Sequence, residues 1–325
     1  MGLGLGAAAA ASRWACGLPR PPAATEVAWA VDHLRGCLLL VSSALGILGV
    51  QPLAGARRLA ISPGLWWAVT GVGQGQRVLT RPGGPEGQGG EWEPQWTLPM
   101  GAVSQLVALG GRLAYALLEQ SEGAGLWRLE LGSEPSCMAP PSGTTRRILG
   151  ARNLLSQDSA TGQWVLQELG SGGLRVRRSI WESGALHQAL PGAGGSWWCI
   201  TGNAADRIEL RDGRLRLIWS RPLGFGATAL VPLGAGVLVL GGKRLSGQRF
   251  DREGHSGRPI EWNLRGPLRG ALPLGQGCLL ALPGALLRLA PDGVIERTQG
   301  GFGELLGLVS SDPLARLPGS FLEGY

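Results

Sequence analysis

Cys37-Leu38-Leu39-Leu40-Val41-Ser42-Ser43-Ala44-Leu45-Gly46-Ile47-Leu48 returns 241 residues later as Cys278-Leu279-Leu280-Ala281-Leu282-Pro283-Gly284-Ala285-Leu286-Leu287-Arg288-Leu289, with six identities in twelve positions. The first copy lies in an uncharged run, 36–56, long enough for a membrane helix, which needs about 20 apolar residues. The second copy carries Arg288 and a Pro283-Gly284 break, so it cannot span a bilayer. If both copies share a conformation, each is two short strands about a turn, placed at Ser42-Ser43 in the first. Pro52 and the internal glycines also oppose a helix. No membrane partner is therefore expected.

The same punctuation fills the distance between the copies: a short apolar strand, a glycine turn, a stronger apolar strand. The turn glycines are Gly36, Gly64, Gly111, Gly150, Gly195, Gly236 and Gly277, at intervals of 28, 47, 39, 45, 41 and 41 residues. The mean is about 40, the period of propeller blades. The segments after the glycines, such as Cys37 to Val41, Leu113 to Leu118 and Cys278 to Leu282, are continuous apolar runs. A strand covered on both faces needs that composition. The expected fold is all-β, a seven-bladed propeller of four-stranded antiparallel blades spanning 26–310, with a disordered leader at 1–25 and a tail at 311–325. The first interval has room for only three strands, so the missing strand of blade 1 is expected from 304–310, pairing beside 45–50. Closing a ring in this way removes the open sheet edges.

Tryptophan and composition fit the same picture. Trp96, Trp181, Trp219 and Trp262 close fourth strands, while Trp66-Trp67 and Trp197-Trp198 follow their turn glycines at matching offsets. A large flat ring at a repeated position fills the wedge between blades. Gly 56 and Pro 22 in 325 residues oppose long helices, and 44% hydrophobic against 16% charged residues opposes a disordered chain. The run Ala205-Asp206-Arg207-Ile208-Glu209-Leu210-Arg211-Asp212-Gly213-Arg214-Leu215-Arg216-Leu217-Ile218-Trp219 has a third strand, an Asp-Gly turn and a fourth strand ending in a docking tryptophan. In this it resembles quinoprotein-like (PQQ-type) repeats of the β-propeller superfamily. The resemblance implies a fold and carries no quinone-binding residue across, so no cofactor is expected.

Chemistry is sparser. The net charge is +7, from 30 basic and 23 acidic residues, but Lys243 is the only lysine and the arginines are scattered. Nucleic-acid binding needs clustered charge and is not expected. Five cysteines without a close pair suggest neither zinc nor disulfides and fit a reducing cytoplasm. His33, His187 and His255 lack metal-ligand spacing. The carboxylates sit mostly in turns, and no nucleophile elbow or phosphate loop is present. Two arginine pairs stand out: Arg57-Arg58 and Arg146-Arg147 each precede the first strand of a blade, just before Leu59-Ala60-Ile61 and Ile148-Leu149. That places them at one face of the ring, where guanidinium groups would take an acidic peptide, carboxylate or phosphate; the plainer reading is solvated strand ends. The expected function is a non-enzymatic scaffold holding an unidentified protein partner in a cytoplasmic assembly. The alternatives are an enzyme or small-molecule binder using the central channel, and a membrane-tethered or exported propeller.

Overall fold

A computed structural model describes residues 27–310 apart from 72–74, 84–89, 140–145, 150–152, 158–160, 162, 182–185, 234–235, 243, 263, 265–266 and 275–276. The leader and tail expected at 1–25 and 311–325 lie outside the described residues. The chain forms seven antiparallel sheets of four strands each. Their inner strands are Leu305–Ser310 in blade 1, then Ala56–Ser62, Ala102–Gly110, Arg146–Leu149, Leu186–Pro191, Ala227–Leu233 and Gly270–Leu274 in blades 2 to 7. Successive inner strands pack side by side, and that of blade 7 meets that of blade 1, so the ring is closed. No helix of the described residues is long and apolar enough to cross a membrane.

The core is divided among the seven seams between blades. Blades 2 and 3 bury Trp67, Val69, Val103 and Ala116, with Trp96 packed against them. Blades 5 and 6 bury Trp198, Leu210, Val237 and Phe250, with Trp219 alongside. Trp262 plays the same part between blades 6 and 7. Ring contacts are close: Trp67 and Trp96 stack at 6.2 Å, and Trp198 meets Trp219 edge-on at 5.6 Å. Each of these tryptophans thus fills the wedge between its two blades, as the repeat pattern requires. Gly247 makes room for one of them, since a Cβ there would lie 2.2 Å from the Trp262 ring.

The strands that follow the turn glycines are buried, fully so at Cys37–Ser42, Trp197–Thr201, Gly236–Gly241 and Gly277–Leu282, as is Val27–Asp32. Their place in the blade, however, is not uniform. Gly277 opens the second strand of blade 7, where a Cβ would sit 2.0 Å from the Leu289 carbonyl oxygen. Gly36 instead precedes the third strand of blade 1, because the second is Val27–Asp32. The Cys37 and Cys278 copies therefore align a third strand with a second. This is why the first interval, 28 residues, falls short: counting begins one strand late.

The closing strand needs a matching correction. Blade 1 is completed by Leu305–Ser310, but it pairs with Val27–Asp32 through Ala28↔Ser310, Trp29↔Val309 and Ala30↔Leu308. It does not lie beside 45–50. The strand Ile47–Pro52 pairs with Cys37–Ser42 and forms the outer edge of the same blade. Leu305–Ser310 is the innermost strand of the blade, where the inner strands of blades 7 and 2 cover it on both sides.

Candidate functional site

All seven inner strands run the same way, since each blade has four antiparallel strands and the outer strand of one blade leads directly into the inner strand of the next. Their first residues therefore gather at one end of the channel, here the upper rim. Arg57 and Arg58 are the second and third residues of the blade 2 inner strand, and Arg146 and Arg147 open that of blade 4. The two pairs do share one face, on either side of blade 3.

A repeated backbone irregularity shapes this rim. The ladder between inner and second strand slips by one residue at Arg57 in blade 2, Ser104 in blade 3, His187 in blade 5 and Thr228 in blade 6. A bulge leaves one residue out of the ladder and re-aims its side chain. All four of these residues are polar. The Ser104 and Thr228 hydroxyls turn back to the second strand, donating to the Leu117 and Leu240 carbonyls, each at 3.3 Å. His187 Nε2 donates to the Gly202 carbonyl at 2.6 Å.

The bulges also leave backbone carbonyls that the neighbouring blade uses. Arg58 Nε donates to the Ser104 carbonyl at 2.9 Å, and Arg147 Nη1 donates to the His187 carbonyl. Between these two links, the Gln105 side-chain amide pairs with Ile148: its Nε2 donates to the Ile148 carbonyl at 3.0 Å, and its Oε1 accepts the Ile148 N–H at 2.6 Å. Inner strands 2 to 5 are thus stitched into one arc. Arg146 Nη1 reaches back to the Ala124 carbonyl of blade 3. Arg57 Nη2 donates to His33 Nε2 at 3.2 Å, while His33 Nδ1 meets the Ala56 carbonyl at 3.1 Å. A guanidinium can only donate and a carbonyl can only accept, so His33 carries its proton on Nδ1.

Burial lowers the pKa of Arg58, helped by its Arg57 neighbour, and burial likewise lowers that of Arg147. The Glu119 carboxylate opposes the shift at both. Glu119 faces Ala102 at the start of blade 3, between the two pairs. Both guanidiniums remain charged, since an arginine keeps its proton under all ordinary conditions. Ahead of the inner strands of blades 7 and 1, the rim pairs its charges with each other: Arg269 Nη2 donates to Glu304 Oε1 at 3.3 Å.

Sequence reading found the arginines but missed Gln105, Glu119 and the roles of His33 and His187. These partners come from other blades, up to 46 residues away for the bonds just described. The adjacent placement of Gln105 and Ser104 at a strand start was the one available signal.

Elsewhere, Asp251, Glu253 and His255 bring ligand-type atoms within 4.8 Å of one another on the opposite face. Asp251 Oδ1 accepts the His255 N–H at 2.8 Å, and Asp251 N–H donates to the His255 carbonyl at 3.0 Å. Asp212 closes the equivalent turn of blade 5 in the same way, accepting the Arg216 N–H at 2.9 Å. The turn accounts for the cluster without an ion. A cavity of about 330 Å³ lies at the lower end between blades 3 and 4, lined by Leu109, Leu113, Glu168, Leu169 and the Gly170 to Gly172 turn.

No family model matches the chain, and no curated protein matches it in sequence. Solved structures do match. A functionally unknown protein from Desulfotomaculum acetoxidans superposes with a TM-score of 0.66 at 12% identity, covering 87% of this chain and 98% of its own. Apo AztD from Citrobacter koseri gives 0.61 at 13% identity, covering 87% and 97%. The dihydro-heme d1 dehydrogenase NirN gives 0.58 at 12% identity, covering 90% and 78%. The chain is a seven-bladed β-propeller. Identity this low carries the fold alone.

Proposed function

We propose that the protein is a non-enzymatic scaffold that presents its upper rim to a protein partner, in the cytoplasm. The observation that carries this reading is the arc over blades 2 to 5. There polar side chains on bulged strands are fixed by bonds to neighbouring backbones, which gives a partner a preorganised surface. Three described cysteines, Cys37, Cys199 and Cys278, are buried as free thiols, which fits a reducing compartment. The test is cross-linked co-purification of tagged protein from its own cells, comparing wild type with Arg57→Glu and with Arg214→Glu on the opposite face. A partner lost only with Arg57→Glu supports the scaffold. A wild-type protein that is always recovered alone overturns it.

The cavity between blades 3 and 4 favours a second reading, a small-molecule binder. Its 330 Å³ is at the low end of the range that ligand pockets occupy. A panel of small metabolites that leaves the melting temperature unchanged would remove that reading.

A further inference from the structure

Four guanidiniums, from Arg57, Arg58, Arg146 and Arg147, occupy one arc of the rim. Glu119 is the carboxylate whose field reaches both Arg58 and Arg147, and Glu122 follows it in the exposed turn of the same blade. Positive charge is therefore in excess here. It is also held in place. Arg58 is fixed by two bonds, from Nε to the Ser104 carbonyl and from Nη1 to the Arg57 carbonyl, each at 2.9 Å. Arg147 is fixed by the His187 carbonyl, and Arg57 by His33.

A guanidinium has five N–H donors in a planar fork, so bonds to one or two carbonyls do not exhaust it. The Nε of Arg57 is buried and has no hydrogen-bond partner. No water reaches that atom and no ligand carboxylate would either, so a partner meets the half-buried guanidinium ends of the four arginines rather than this nitrogen. From these placements we infer that the rim over blades 2 to 4 binds a run of carboxylates, an acidic peptide segment laid across blade 3 from Arg57 to Arg147. The inference rests on the scaffold reading and names the chemistry of the partner. Planar forks match carboxylate geometry. Glu119 already occupies a position between the pairs, and the ligand would have to compete with it. A nucleic acid would call for a longer basic track than one arc of a rim.

The test uses the full chain and a labelled oligoglutamate peptide, followed by fluorescence anisotropy at about 50 mM and about 200 mM salt. Binding is expected at the lower salt and should weaken at the higher. Arg57→Gln should weaken it about tenfold, the loss of one charge-assisted bond. Glu119→Gln leaves every guanidinium in place and should tighten binding about two- to threefold, the scale of an exposed charge pair. This second variant guards against a loss caused by misfolding. Arg214→Gln, on the opposite face, should change nothing.

The inference fails if wild type does not bind at the lower salt, if Arg214→Gln weakens binding as much as Arg57→Gln, or if Glu119→Gln weakens it. It also fails if a single-stranded oligonucleotide of equal charge binds as tightly with the same response to the variants. A partner captured through the rim by a protein that ignores oligoglutamate would leave the scaffold standing and remove the acidic ligand. Oligoglutamate binding by a protein with no partner would do the reverse.

Discussion

Gly303 donates its backbone N–H to Asp32 Oδ2 at 2.9 Å, joining residues 271 apart across the closure of the ring. Asp32 is wholly buried at the end of the second strand of blade 1. Its other oxygen accepts the Arg35 N–H at 3.3 Å. Nearby, the His33 N–H donates to the Glu304 carbonyl at 2.9 Å, and the Arg35 side chain donates to the Gly301 carbonyl. One short turn thus holds the linker that delivers the closing strand.

Asp32→Ala removes the acceptor for two backbone donors and leaves them unsatisfied. The expected loss is about 2–6 kcal/mol, since each of the two part-buried donors left unsatisfied costs about 1–3. Urea unfolding of the variant checks this. A change within error of zero would mean that the clasp does not hold the ring.

Deleting residues 304–325 bares the edge of Val27–Asp32, a strand of Val, Ala, Trp and one buried carboxylate. Exposed apolar edges pair with other chains. The truncated protein should therefore form soluble aggregates or precipitate, as read by light scattering behind a sizing column. A well-behaved monomer would show that the first blade tolerates an open inner edge.

Trp198→Ala should cost about 3–5 kcal/mol, because the ring is buried in the seam between blades 5 and 6 and leaves a cavity when removed. Trp219→Ala should cost less. Its ring is half-buried, and its indole N–H donates to the Arg252 carbonyl at 2.8 Å near the surface. A double-mutant cycle should return about 0.5–1.5 kcal/mol for the edge-on pair. Additive losses would show that the contact contributes area alone.

Burial pushes the Cys278 thiol up to about 12 from 9.0, with Arg288 pulling weakly the other way. A raised folded-state pKa means that the folded protein holds its proton where the unfolded chain has lost it. The stability from this group is complete below about 9 and is lost as pH rises towards about 12. Melting temperature should fall across that window more steeply in wild type than in Cys278→Ala. Equal slopes would place the alkaline loss on other groups.

The blade count was legible because each blade needs one strand covered on both faces, and a glycine turn must introduce it. The order within blade 1 was not. Cys37–Ser42 and Gly277–Leu282 are both fully buried and both follow a glycine, so burial gives a third strand and a second strand the same residues. Only pairing separates them. The rim shows a similar limit. Arg57, Arg58, Arg146 and Arg147 could be placed at strand starts from local pattern. The Ser104 and His187 carbonyls that hold Arg58 and Arg147 become available only through bulges, and a bulge depends on two strands at once.

The closing strand Leu305–Ser310 also sets an order of events during synthesis. Val27–Asp32 is made before the six blades that follow it, and its inner partner Leu305–Ser310 only after them. Throughout translation of six further blades, the nascent chain carries a half-finished first blade whose edge must be kept from other chains. Until Leu305–Ser310 pairs with it, that edge is where closure of the ring competes with pairing to another chain.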